Sequence, residues 1–250
     1  MWYTPCVAAN RKEASAAEPA PPLAEGTQGK RVPAIFFRTE SGGEPLREWL
    51  KSLQPEDRKL IGEDIKTVEF GWPVGMPVCR SLGDGICEIR THLTQGRIAR
   101  VLFYIDAKRR LVLLHGFVKK TQKTPLNDME LARRNKSKTR KRSQPMKEAK
   151  RDKVFDHSGS TFDSFLEEEG IRGEVEAIAV KRVLAWQLER AMQKQHKTKL
   201  AMARELHTSR SQLDRLLDPT NVSVSLDTIT RAARALGKRL TIRISDVKVG

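Results

Sequence analysis

Arg97-Ile98-Ala99-Arg100-Val101-Leu102-Phe103-Tyr104-Ile105 and Leu111-Val112-Leu113-Leu114-His115-Gly116-Phe117-Val118-Lys119-Lys120-Thr121 are two apolar runs separated by a short polar connection around Asp106-Ala107-Lys108. Their length and their content of β-branched and aromatic residues predict neighbouring strands joined by a tight turn. The second run ends in Lys-Lys-Thr. The pair therefore delivers cations to one end of a sheet.

Working outward, more short strands lead into this pair. Val78–Leu82 is followed by Gly83-Asp84-Gly85, and Ile86–Leu93 by Thr94-Gln95-Gly96. Three hairpin-like connections in a row predict an antiparallel sheet. Val32–Arg38 reads as an earlier strand with Pro33 at its start. Glu44–Leu53 reads as a helix, with Pro45 in its first turn and Leu46, Trp49, Leu50 and Leu53 on one side. Pro55 opens a second helix through Phe70, with Leu60, Ile61, Ile65 and Val68 inward, and Gly71-Trp72-Pro73 stops it. Helices that precede the strands in sequence are expected to pack on one face, an α+β arrangement. Leu126–Arg134 is a final helix of this module.

The rest of the chain is organised around it. Residues 1–31, rich in Ala, Pro and Glu, read as a disordered tail. Residues 32–136 form the first module. Residues 137–156 read as a basic linker, since Arg133–Arg142 holds seven Lys/Arg in ten positions without an apolar period. Met146 stands where a separate reading frame could begin. Residues 157–250 read as a second, helical module. It opens with a short acidic helix, Thr161–Glu169, whose apolar side is Phe162, Phe165 and Leu166. Glu174–Gln195, with Val180, Leu184, Leu188, Ala191 and Met192 at helical spacing, follows, and then Lys199–Leu206, Ser209–Leu217 and Ser225–Leu236. Arg239–Ser245 alternates as a terminal strand, a pairing edge for a dimer or for the first module's sheet.

The chain has 250 residues and a net charge of +16, enough length for two small cores. Residues 32–142 carry 23 Lys/Arg against 13 Asp/Glu, and residues 146–250 carry 20 against 15. The positive excess sits in the first module, which points to nucleic acid or ribosome as partner. The three cysteines, Cys6, Cys79 and Cys87, form no CxxC and no zinc-like cluster with histidine. No metal and no cofactor are expected. Reduced thiols suit a cytoplasmic protein. No run is apolar enough to span a bilayer, and no signal peptide is evident.

Two groups of residues carry chemistry. On the predicted sheet, Arg90, Arg100, Lys119 and Lys120 lie at strand centres or ends, and alternation puts Glu88 and Arg90 on one face with Cys87 and Ile89 on the other. Cations converging on one face can hold a phosphodiester and stabilise its developing negative charge without a metal. They also lower one another's proton affinity, which readies a lysine for proton transfer. His92 and His115 are further candidates for proton transfer. The second group is a helix-turn-helix over Leu200–Leu217. Met202, Ala203 and Leu206 face inward on its first helix, His207-Thr208 makes the turn, and Leu213, Leu216 and Leu217 face inward on the second. Ser209 reads as an N-cap, with Gln212 completing a capping box. Ser209, Arg210, Ser211, Gln212 and Arg215 are left at the helix start, where base edges are read in a major groove.

Residues 32–136 resemble the RelE/HigB-like toxins, in the phage Gp49-like branch, through Cys87-Glu88-Ile89-Arg90, Arg100–Tyr104 and His115–Thr121. The resemblance implies a compact α+β ribonuclease fold. It also implies a metal-independent mRNA endonuclease that acts on the ribosome by attack of the ribose 2′-OH on the adjacent phosphate. By position, Arg90 matches a basic sheet residue, Arg100 the arginine at the scissile phosphate, and Lys119 and Lys120 the basic pair closing the site. The RelE branch has Lys-x-Lys where this chain has Glu88-Ile89-Arg90, and its C-terminal tyrosine has no counterpart here. Residues 160–245 resemble Xre/Cro-type antitoxins of the HigA group through Trp186-Gln187-Leu188 and Leu216-Leu217-Asp218-Pro219. His207 stands where many of these domains have glycine. That resemblance implies a dimer that binds operator DNA and represses its own operon.

Together the two halves read as a toxin and its antitoxin on one chain, with the ribonuclease inhibited in the joined form. The acidic helix, through Asp163, Glu167, Glu168 and Glu169, or the long helix after it, is expected to dock near the cationic face of the first module. Two other readings remain: a non-enzymatic nucleic-acid-binding regulator, and a ParE-like toxin directed at gyrase.

Overall fold

The structure, a computed structural model, describes residues 32–75, 78–119, 126–140 and 155–242. Two compact units divide between Arg172 and Gly173. The tail 1–31, Lys120, and residues 141–154 of the expected linker lie outside the described residues.

The first unit is built on one six-stranded sheet. Its strands are β1 (Ala34–Phe37), β2 (Cys79–Gly83), β3 (Ile86–His92), β4 (Ile98–Ile105), β5 (Leu111–Lys119) and β6 (Ser158–Thr161), in the order β2-β3-β4-β5-β1-β6. The three consecutive hairpins form as expected, and β2 to β5 are antiparallel neighbours. The sheet as a whole is mixed, because β1 runs parallel to β5. No hairpin links β1 to its neighbours in sequence. Its chain leaves through helices α1 (Pro45–Ser52) and α2 (Pro55–Gly71) before returning at β2, and such a crossover permits a parallel pairing.

Helices lie on both faces of this sheet, α3 (Leu126–Arg140) on one and α1 on the other. Ile35, Phe37, Ile86, Leu102, Tyr104, Val112 and Leu114 pack with Ala132 of α3. On the opposite face Phe36, Val101, Phe103 and Leu113 are buried. There a Cβ on Gly116 would run into Leu46 and Trp49 of α1, and Trp72, just past α2, stands edge-on to Phe103 at 5.5 Å.

Helix α3 extends to Arg140, six residues beyond its expected end and into the stretch assigned to the linker. Lys and Arg are good helix formers, and the contacts holding this last turn are polar. Asn135 donates to the Leu114 carbonyl at 3.1 Å, the Tyr104 hydroxyl donates to Thr139 Oγ1 at 2.5 Å, and the Lys136 ammonium lies 5.3 Å from the Tyr104 ring centroid.

The acidic helix, α4 (Phe162–Glu168), belongs to the first unit, preceded by a strand that the sequence reading missed. β6 pairs antiparallel with β1 at the edge of the sheet. Gly159 passes so close to the Phe36 carbonyl and the Glu44 carboxylate that a Cβ would collide with both. Helix α4 then lays Phe162 and Phe165 against Phe36, with ring centroids 5.9 and 5.7 Å away. Phe36 faces away from the α3 cluster. The acidic helix therefore docks on the α1–α2 side and not on the face carrying Arg90 and Arg100, which corrects the expectation. The cations it meets belong to the helices: Arg47, Lys51, Arg58 and Lys66.

The second unit contains α5 (Arg172–Lys194, its first residue shared with the unit before it), α6 (Lys199–Glu205), α7 (Arg210–Leu217) and α8 (Leu226–Ala235). Its core gathers Leu188, Met192, Met202, Ala203, Leu206, Leu213, Leu216, Leu217, Ile229, Ala232 and Leu236. Val180 is exposed, while Val175, Ala179 and Val183 are buried instead. Two helices end on a residue in the left-handed region that is a histidine, His196 (φ 53°) and His207 (φ 49°). At His207 the turn closes with Thr208 N–H to the Ala203 carbonyl and His207 N–H to the Arg204 carbonyl, both at 3.0 Å, the pairing usual for a glycine C-cap. Residues 239–242 form no strand, and the remainder of the expected terminal strand lies outside the described residues.

Candidate functional site

Strand register decides which cations meet. Arg90 lies opposite Arg100 across β3 and β4, and Glu88 lies opposite Leu102. Across β4 and β5, Arg100 is opposite Phe117 and Ile98 is opposite Lys119. Two residues of β5, Leu114 and His115, span the step that Leu102 to Phe103 makes on β4. This β-bulge reverses the alternation of β5. Before it Val112 shares the α3 face, and after it His115, Phe117 and Lys119 do. Arg90, Arg100, His115 and the backbone position of Lys119 are thus brought to one face. Lys120 lies outside the described residues.

The electrostatics within this group are uneven. Arg100 is buried, and its Nη1 donates at 2.6 Å to Oε2 of Glu88, which is fully buried. A buried pair of this kind is held by mutual attraction against the desolvation of both charges. Arg90 is half-buried, and His92 is exposed at the end of β3. His115 Nε2 is 2.7 Å from Asp128 Oδ1 at the start of α3, and its ring stacks on Phe117 at 5.8 Å. Asp128 fixes which imidazole nitrogen faces α3 and leaves Nδ1 for another partner. Sequence places Glu88 on this face but not its pairing with Arg100, and it does not reveal Asp128 at all. The signal for Glu88 was present, because it alternates with Arg90 and is two residues from it. Asp128 is thirteen residues from His115 and could be found only with α3 placed on the sheet. Both cysteines of the sheet, Cys79 and Cys87, are buried thiols. Cys79 stands opposite Ile89 and Cys87 opposite Ser81, so the two do not face each other across the hairpin.

In the second unit, Ser209, Arg210, Ser211, Gln212 and Arg215 are all exposed at the start and outer side of α7. Ser209 is the N-cap, its hydroxyl accepting from Gln212 N–H at 3.1 Å. The expected reciprocal contact differs: the Gln212 side-chain oxygen accepts from the Thr208 hydroxyl. Asp214 ties α7 to α6 through Lys199 at 2.8 Å, and this hydrogen bond holds its carboxyl below the usual range. At the far end of α7, the Lys181 ammonium donates to the carbonyls of Leu216 at 2.8 Å and Asp218 at 2.6 Å. Burial lowers the Lys181 pKa, and the Asp218 charge opposes that shift. A cation on the last carbonyls of a helix complements its dipole and fixes its tilt. An open hollow is lined by Arg210, Ser211, Asp214, Arg215 and Asp218.

Among the described residues no group of three or more His, Cys, Asp or Glu could hold a metal ion. None of the described helices is long and apolar enough to cross a membrane.

Residues 48–137 match the family described as Phage derived protein Gp49-like (DUF891). That family is associated with the RelE-like toxins of toxin–antitoxin systems. The match runs from within α1 to within α3 and includes Glu88, Arg90, Arg100, His115 and Lys119 but neither β1 nor β6. No curated protein matches the chain.

Proposed function

We propose that the first unit is a toxin-type endoribonuclease that cleaves mRNA on the ribosome, and that the second unit is its DNA-binding antitoxin and operon repressor. The observation that carries the enzymatic half is the convergence of Arg90, Arg100, His115 and the Lys119 position on one face of the sheet, inside the segment that matches the toxin-associated family. In the proposed reaction the ribose 2′-oxygen attacks the adjacent phosphorus. The bond to the 5′-oxygen breaks, leaving a 2′,3′-cyclic phosphate and a 5′-hydroxyl. The 2′-OH must lose a proton, and the leaving 5′-oxygen must gain one. Arg90, with Lys119 and Lys120, binds the phosphate and offsets charge building on its oxygens. His115, steadied by Asp128, transfers a proton. Arg100 acts from within its pair with Glu88, shaping the floor of the site. For the second unit, the exposed start of α7 is the element proposed to enter the major groove, with Arg210, Ser211, Gln212 and Arg215 toward base edges and Ser209 at the backbone. A dimer would present two such helices.

The buried Arg100–Glu88 pair also favours a second reading. With Arg100 neutralised, the face is less cationic than the sequence suggests, and the unit could bind nucleic acid without cutting it. One experiment separates the two. Residues 32–142 are induced alone, as wild type and as Arg90→Ala and His115→Ala, with and without residues 146–250 from a second plasmid. Growth arrest with mapped mRNA cuts, lost in the folded variants and relieved by the second fragment, supports the enzyme. Binding of RNA with no cleavage supports the second reading. DNA breaks in place of mRNA cuts would point to gyrase.

A further inference from the structure

Across the middle of the sheet one row runs from Arg90 on β3 through Arg100 on β4 to Phe117 on β5, each opposite the next. Neighbouring strands lie about 4.8 Å apart, so the backbone at Phe117 is about 10 Å from that at Arg90. Arg100, between them, is committed to Glu88 at 2.6 Å. Arg90 is half-buried, and its Nε, closed off from solvent, meets no hydrogen-bond partner among the described residues. Phe117 is half-buried as well, whereas the other phenylalanines of the sheet, Phe36, Phe37 and Phe103, are at most 2 % exposed. The Phe117 ring rests against the α3-side cluster. It also stacks with His115, ring centroids 5.8 Å apart and planes 25° apart. Asp128 holds that imidazole through Nε2 at 2.7 Å. Two stacked rings, one of them anchored by a carboxylate, thus lie in the open part of a cationic face.

We propose that the His115–Phe117 pair is a subsite for one unpaired nucleobase of a single-stranded RNA, stacked on the Phe117 ring beside the phosphate that Arg90 binds. Cations by themselves attract any polyanion, because phosphates carry no information about base or strand. A half-open ring among them suits a narrower ligand. Every base has a π-face, and an unstacked base is commonly held by stacking on an aromatic side chain. A base inside a duplex has both faces covered by its neighbours. The ring therefore selects single strands over duplexes, a choice that the cations do not make. Since all bases can stack, the subsite tolerates base identity. It deepens the ribonuclease reading and rests on it for the side of the sheet that RNA meets, but it concerns binding, and no bond is made or broken in it.

The test measures binding to the full chain by fluorescence anisotropy with two labelled probes of about eight residues, a usual single-strand site size. One is 2′-O-methyl oligoadenylate, which cannot be cut by 2′-attack. The other is an abasic sugar–phosphate chain with the same number of phosphates. The wild-type chain is expected to bind the oligoadenylate about tenfold more tightly, within the range of one stacked base. Phe117→Leu should lose that preference and keep its affinity for the abasic chain, because the cations are untouched. Phe117→Trp covers the case in which the leucine variant does not fold. It should keep the preference, and its added emission should be quenched by the oligoadenylate and not by the abasic chain. A wild-type chain that binds both probes equally, or neither, overturns the inference. So does a Phe117→Leu chain, folded by circular dichroism, that keeps the preference, and so does a tryptophan that is not quenched. A tenfold preference without mRNA cuts on induction would instead sink the ribonuclease reading and leave the subsite standing.

Discussion

Replacing Arg100 by alanine tests the floor of the proposed site. Its side chain is 6 % exposed, and the Glu88 side chain facing it is 0 % exposed, at 2.6 Å. Two unit charges about 4 Å apart attract by about 4 kcal/mol at an effective dielectric of about 20. Removing one partner leaves the other charge buried, and such losses run to about 3–5 kcal/mol. Glu88 is badly placed to compensate, since its Oε1 has no hydrogen-bond partner among the described residues. Arg100→Ala should therefore destabilise the first unit by about 3–5 kcal/mol, a drop of about 1–5 M in the urea midpoint at m-values of about 1–3 kcal/mol/M. Removing both charges is a different perturbation. Arg100→Met with Glu88→Leu should recover most of the loss, because apolar replacement of a whole buried pair is often neutral or better. Urea melts of the full chain carrying Trp186→Phe, in which Trp49 and Trp72 report on the first unit by fluorescence, read both. An Arg100→Ala cost below about 1 kcal/mol would refute the reasoning. So would a double variant no more stable than the single one. The result governs how activity data are read, since lost cleavage in Arg100→Ala says nothing about chemistry if the unit is unfolded. Arg90 and His115 are the cleaner probes.

Four further outcomes are expected. Asp128→Asn should lower the cleavage rate about tenfold or more with little change in KM, because it loosens the orientation of the His115 imidazole but not the phosphate cations; single-turnover rates and KM check this, and an unchanged rate counts against His115 as the proton carrier. His207→Gly should stabilise the second unit by about 0.5–1 kcal/mol by relieving a left-handed backbone at a non-glycine residue, and a lower melting temperature by circular dichroism would contradict that. Gly116→Ala should cost about 1–3 kcal/mol by forcing α1 off the sheet, read by the same urea melt, and a neutral result would mean α1 yields freely. The docking of residues 155–172 should weaken in acid: hydrogen bonding to Arg47 holds Glu168 below its ordinary 4.5, so this contribution is whole above pH 4.5 and fades as pH falls through the lowered value. The difference in urea midpoint between the full chain and its Glu168→Gln variant should shrink as pH falls below 4.5, and a difference that widens in acid would exclude it.

Much of this molecule could be read from local patterns. The hairpins β2 to β5 announced themselves through Gly83-Asp84-Gly85, Thr94-Gln95-Gly96 and Asp106-Ala107-Lys108, and the helices of the second unit through caps such as Thr198, Ser209 and Ser225. What escaped depends on distant partners. The direction of β1 is set by a crossover through two helices. β6, Ser158-Gly159-Ser160-Thr161, has no apolar alternation, since its neighbour supplies backbone hydrogen bonds and its glycine is needed for close approach. The far turns of α3 rest on Asn135, Lys136 and Thr139, polar residues that no hydrophobic period reveals. Of the candidate site, the shared face of Glu88 and Arg90 follows from alternation alone. The burial of Arg100 against Glu88 and the reach of Asp128 to His115 do not, because they need register and helix placement.

The extra residue at Leu114 makes β5 sensitive to length in a way that its composition does not show. Deleting one residue between Leu113 and His115 would leave strand, hydrophobicity and charge nearly intact. It would also remove the bulge and leave the pairing on either side unchanged, so His115, Phe117 and Lys119 would keep the α3 face and Gly116 and Val118 the α1 face. Deleting Gly116 instead, with the bulge kept, would bring Phe117 opposite Val101 and drive its ring into the space closed by Leu46 and Trp49. The same loss of one residue therefore has opposite consequences on the two sides of His115: at position 114 it keeps every face, and beyond it the rest of the strand turns over. Aligning a homologous strand to this one by residue identity, without counting the residues around position 114, would assign its cations to the wrong side of the sheet.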